Sequence, residues 1–140
     1  VKFLAQLGAA CEREGCHMQN QGPIRLPPFN EPEPDGAILR GTPRDYADRL
    51  PGPDDTLVVF EVADASLVYD RRRKLSVYAR AGIPQYVIVN LQDDVLELHE
   101  RPVAAEGTYE STTIVRRGET LRLALGGSAV LEVDAARLLP

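Results

Sequence analysis

The stretch TLVVFEVADASLVYDRRRKLSVYARAGIPQYVIVNL, residues 56–91, decides the fold. Residues 56–62 are apolar on both alternations except for Glu61, the pattern of a strand covered on both faces. Residues 64–66 (DAS) carry N-cap chemistry, and helical spacing then predicts a helix over 67–81. Gly82 is the expected C′ residue, and Pro84 follows it. Residues 85–91 read as a second buried strand. Strand, helix and strand in this order predict a parallel pair joined by a crossover helix.

Upstream, Phe3, Leu4, Leu7, Ala10 and Cys11 fall at helical spacing and predict a helix over 2–14, stopped at Gly15. Residues 17–26 read as extended, with Pro23 marking an edge or bulge. Pro27-Pro28 breaks the chain, NEPEP at 30–34 is an extended acidic approach, and 35–39 is a short strand. Residues 41–55 form a loop rich in proline and glycine. Downstream, 95–100 alternates as a strand with one wet face. Short strands are expected at 109–115, 120–125 and 130–133, and Asp134 is placed to cap a last helical turn.

The chain has 140 residues, which suits one domain spanning 1–140, with 107–140 as its β-rich extension. Apolar residues at 44% and charged residues at 26% exclude disorder, collagen and a disulfide scaffold. No run approaches the ~18–20 apolar residues of a membrane span. The net charge of −5 excludes a general basic coat, so any DNA binding must rest on a local patch or on metal ions. The two cysteines, Cys11 and Cys16, are too few for a secreted framework, and a cytoplasmic setting is expected. Because the sequence opens on Val1 and begins inside a helical pattern, a missing N-terminal segment is also expected.

Asp35, Glu61 and Lys74 are the candidate chemistry. Asp35 opens a strand directly after Pro34, and Glu61 lies among Val58, Val59, Phe60 and Val62. A carboxylate in those surroundings is costly to desolvate unless a cation or a basic side chain pairs with it. Helical steps of about 100° put Leu67, Asp70, Lys74, Tyr78 and Ala81 on one stripe, apolar at its ends and polar in its middle. Two carboxylates and a lysine make a compact kit for phosphodiester hydrolysis. Hard oxygen ligands hold Mg²⁺, the metal activates a water, and the lysine orients that water and stabilises developing negative charge.

The succession EPEPDGAI, VVFEVADAS and DRRRKLSVYARAGIPQYVIVN resembles the Uma-two family of restriction endonucleases, within the PD-(D/E)XK nuclease superfamily. The resemblance implies an α/β, restriction-endonuclease-like core. Its mixed central sheet would hold strands near 35–39, 56–62, 85–91 and 95–100, flanked by helices 2–14 and 67–81, with a C-terminal antiparallel β extension. Pro34-Asp35 matches the first part of the superfamily pattern. Glu61-Val62-Ala63 matches the second, with Ala63 where the lysine belongs. In this family the lysine sits on the following helix, which Lys74 fits. The implied metal ligands are Asp35, Glu61 and the main-chain carbonyl of Val62. The implied cofactor is Mg²⁺, with Mn²⁺ able to substitute and no organic cofactor. The implied partner is DNA; a homodimer is expected by analogy at fold level, since it would suit cleavage of both strands of a duplex. Two departures stand out: the absent N-terminal segment, and Asn90 where the family places Asp.

Each residue also has a plainer reading. Glu61 and Lys74 alone read as a buried ion pair between a strand and its crossover helix. Asp70 is either an accessory acid or an i, i+4 partner of Lys74. Arg71, Arg72 and Arg73 are either phosphate contacts or a solvated face. Ser66 reads as a cap and Tyr78 as core. Cys11, Cys16 and His17 lack the four ligands of a structural zinc site. The rival function is a catalytically inactive nuclease-fold module that binds DNA or a protein partner. A weaker option is a dimerisation unit built on strands 120–125 and 130–133.

Overall fold

The structure is a computed structural model that describes residues 7–64 and 67–140, excluding the side chains of Leu67, Tyr69 and Asp70. The elements are α1 (Gly8–Arg13), β1 (Cys16–Asn20), β2 (Gly36–Arg40), β3 (Thr56–Ala63), α2 (Leu67–Arg80), β4 (Gln85–Asn90), β5 (Val95–Val103), β6 (Thr108–Arg116), β7 (Thr120–Ala124) and β8 (Val130–Asp134). β1 to β6 form one mixed sheet in chain order, and β7–β8 form a separate antiparallel pair. Only β3 and β4 run parallel, with Glu61 opposite Ile88, and α2 connects them.

This is the α/β arrangement expected for a restriction-endonuclease-like core, with two adjustments. β6 belongs to the main sheet, paired with β5 from Val95↔Arg116 to Val103↔Thr108. The C-terminal extension is therefore the β7–β8 hairpin and the turn after it. That hairpin folds back over the sheet: Leu121, Leu123, Leu131 and Val133 join Val58, Phe60, Val87, Val89, Leu96 and Leu98 in one core cluster. The far face is thus covered largely by a hairpin, with Leu7 and Cys11 of the α1 region completing it. The expected helix over 2–14 is described only from residue 7.

The near face packs under α2. Val59, Ala63, Tyr86 and Ile88 meet Tyr78 and Ile83 there. The end of α2 follows from sequence. Gly82 adopts φ 77°, its N–H donates to Ala79 O, and the Ile83 N–H reaches back to Tyr78 O at 3.1 Å. This is a Schellman close, with Ile83 fully buried as its apolar seal. The N-cap reading at 64–66 falls partly on residues 65 and 66, outside the described residues. The cap at Asp134 is present, its Oδ1 accepting from the Ala136 N–H at 2.9 Å.

The wet face expected for 95–100 is not wet. Glu97 and His99 are 3% and 4% exposed. The polar alternation of β5 points toward α2 and the aromatic rings of Tyr86 and Tyr109, so helix and neighbouring rings replace water.

Candidate active site

Asp35 stands one residue before β2, where that strand has finished pairing with β3 at Gly36↔Phe60. Its Oδ2 accepts the Val62 N–H at 2.7 Å. The carboxylate thus takes the place of a missing strand acceptor. The Ala63 carbonyl bonds to Leu91 on the β4 side, so strand alternation turns the N–H and C=O of Val62 toward β2 and Asp35.

Glu61 points from β3 to the underside of α2 and is 4% exposed. Two successive turns of α2 address its two oxygens. Tyr78 Oη donates to Oε2 at 2.7 Å, and Lys74 Nζ stands 3.5 Å from Oε1. The i, i+4 spacing of Lys74 and Tyr78 makes this possible. Burial raises the Glu61 pKa, and the Asp35 charge adds to that rise; Tyr78 and Lys74 pull the other way without cancelling it. Burial, together with the Glu61 charge, pushes the Tyr78 hydroxyl far above the usual phenol range. Tyr78 is therefore a fixed donor, and reading it as core alone missed this role. A polar tip on a core-facing stripe was the available signal.

A cavity of about 370 Å³ opens onto these groups, lined by Glu61, Lys74 and Tyr78 and by Arg73, Glu33 and Phe29. Glu61 and Lys74 line this cavity, whereas Asp35 and Val62 do not; Asp35 joins them through its bond to the Val62 N–H and its charge acting on Glu61. The side chain of Asp70 lies outside the described residues. The three arginines diverge. Arg71 turns inward, its Nη2 donating to Glu97 Oε2 at 2.6 Å. Arg73 lines the cavity, and Arg72 is exposed.

Sequence reasoning missed the role of Glu97. Glu61, Ile88 and Glu97 are successive partners across β3, β4 and β5, so both carboxylates face α2 with one isoleucine between them. Besides Arg71, Glu97 Oε2 accepts from Asn90 Nδ2 at 3.0 Å, and His99 Nε2 stands 3.4 Å from Oε1. Burial alone would raise its pKa, but His99, Asn90 and Arg71 together outweigh that, and Glu97 is held below the usual carboxylate range. This accounts for Asn90. Its amide supplies a donor that Asp would lack, and an ionised Asp there would face Glu97 at hydrogen-bond distance.

Among the described residues, no group of three or more His, Cys, Asp or Glu is gathered as a metal cluster. The donors present are two carboxylates and one carbonyl, all hard oxygens. That set fits Mg²⁺, which takes one or two carboxylates and fills its remaining positions with water and phosphate oxygens.

A mixed sheet with one parallel strand–helix–strand unit is consistent with the restriction-endonuclease-like fold. The chain matches the Uma2 family model, described as "Putative restriction endonuclease", over residues 1–135, and belongs to that family. No curated protein matches it.

Proposed function

We propose that this protein is a Mg²⁺-dependent endonuclease that hydrolyses DNA phosphodiester bonds at the Asp35–Glu61–Lys74 site. The observation that carries the reading is a buried Glu61 coupled to Asp35 and faced by Lys74 at the wall of an open cavity. Asp35, Glu61 and the Val62 carbonyl would hold the metal, which when bound supplies Lewis acidity and a more acidic water. Asp35 Oδ2 is held by the Val62 N–H and Glu61 Oε2 by the Tyr78 hydroxyl, which fixes where each carboxylate stands. Lys74, at 40% side-chain exposure, reaches both Glu61 and the cavity; it orients the attacking water and offsets charge building on the phosphoryl oxygens.

The rival reading, an inactive module, differs in metal binding. Calorimetric titration with Mn²⁺ is expected to show binding by the wild type and its loss in Asp35→Ala. Equal binding by both proteins would remove Asp35 from the site.

Tyr78→Phe tests the electrostatics. The hydroxyl lowers the Glu61 pKa, so its removal raises that pKa further. Glu61 must be ionised to hold a cation, so the acid limb of the pH–rate profile is expected to move to higher pH. An acid limb unchanged in Tyr78→Phe would separate Glu61 from the activity. Folding stability should also fall by about 1–3 kcal/mol, because a buried carboxylate oxygen loses its donor.

A further inference from the structure

Phe29 is 92% exposed, the most exposed large apolar side chain among the described residues. It stands at the tip of a pinned loop. Leu26 and Asn30 exchange both main-chain hydrogen bonds, at 2.8 and 3.0 Å, and the Ile24 N–H donates to Pro32 O. Ile24 and Leu26 are buried, so the loop's base is part of the core. Between base and tip, Pro27 and Pro28 each have a fixed φ and no N–H, which limits the alternatives open to Phe29. The ring is held out in water by a stiff support.

The surroundings indicate what would cover it. Phe29 lines the cavity that holds Glu61 and Lys74. A second cavity of about 560 Å³ lies between the same loop and the later turns of α2, and Arg80 lines it. The two cavities share Asn30, Arg73 and Val77, so they adjoin along α2. Arg73 and Arg80 are seven residues apart, on one helix face, about 10.5 Å along the axis. The α2 wall thus carries Arg80, Arg73 and Lys74; the Arg80 guanidinium also donates to Ser76 Oγ and the Ala105 carbonyl, each at 3.3 Å, and Lys74 also faces Glu61. The loop wall carries Glu31 and Glu33, the former bridged to Arg25 at 3.0 Å. The helix wall would draw phosphates and the loop wall would turn them away, so a strand lying across both cavities would present its bases to Phe29.

We propose that Phe29 is a stacking platform for an unpaired nucleotide of a DNA strand whose phosphates follow Arg80, Arg73 and Lys74. The proposal rests on the nuclease reading and narrows its substrate class. In an intact duplex the base faces are already covered by their neighbours, so the ring favours single-stranded or locally unpaired DNA. Base–aromatic stacking is worth ~1–3 kcal/mol per base, about 5- to 150-fold in affinity.

The test uses a single-stranded oligonucleotide carrying 2-aminopurine and its fully paired duplex, titrated with the whole chain in EDTA so that cleavage does not enter. The wild type should bind the single strand more tightly and quench its fluorescence. Phe29→Ala should weaken that binding within the stated range and lose the quenching, and Phe29→Trp should keep both. Arg73→Ala and Arg80→Ala should each reduce the salt dependence by about 0.7 in log–log slope. Unchanged binding in Phe29→Ala overturns the proposal, as does preference for the duplex. So does a loss of self-association in Phe29→Ala, read by sedimentation, with DNA binding intact. Cleavage by Lys74→Ala is measured beside it: full activity there overturns the assigned active site while leaving the Phe29 result to stand or fall alone.

Discussion

Lys74→Ala is expected to lower Mg²⁺-dependent plasmid nicking by about 10²–10³-fold, the size of effect seen when one donor aimed at developing charge is removed. The fold should survive. Lys74 is 40% exposed but faces a Glu61 side chain that is 6% exposed, so its loss leaves a buried carboxylate short of one partner and costs about 1–3 kcal/mol. Glu61 keeps Tyr78 as its donor in the variant. The melting temperature should therefore fall by only several degrees while activity collapses, and circular dichroism beside the nicking assay separates the two. A variant that melts normally and nicks at the wild-type rate would contradict the role given to Lys74.

Glu97→Ala should give the largest loss of stability. It removes the acceptor shared by Arg71 and Asn90 and the partner of His99, leaving donors buried without it. Breaking a buried pair from one side costs about 3–5 kcal/mol; the 43% exposure of Arg71 places this case near 3 kcal/mol. For a domain of this size that is roughly 10 °C in melting temperature. Glu97→Gln keeps an acceptor and should cost distinctly less. The pH dependence has a definite sign. Glu97 is held below the usual carboxylate range, so its contribution is present above the unfolded-state pKa and lost as pH falls through the folded one. Glu97→Gln should lack that part of the acid destabilisation. Equal melting of wild type and Glu97→Ala would show that Arg71 and Asn90 find water instead.

The β3–α2–β4 unit was legible because each of its signals is local. An unbroken apolar run, a helical stripe closed by Gly82 and a second apolar run need no knowledge of distant partners. The candidate carboxylates were legible for a related reason: Glu61 sits conspicuously among valines and Phe60. Burial of Glu97 and His99 was not legible, because alternation in 95–100 reports two different faces without saying what covers the polar one. Only the placement of α2, Tyr86 and Tyr109 supplies that cover. The inward turn of Arg71 was hidden likewise, since three adjacent arginines look alike until a buried carboxylate selects one. The hairpin's return across the sheet depends on long-range packing of leucines and valines whose local pattern fits any half-buried strand.

The proposed activity is phosphodiester cleavage at a metal site built on Asp35 and Glu61. Supercoiled plasmid incubated with the protein in Mg²⁺ tests it most directly, beside EDTA, Asp35→Ala and Lys74→Ala controls. Nicking or linearisation by the wild type that disappears in all three controls is the predicted result. Cleavage that persists in EDTA or in Asp35→Ala, or a folded wild type that leaves the plasmid supercoiled, would contradict it.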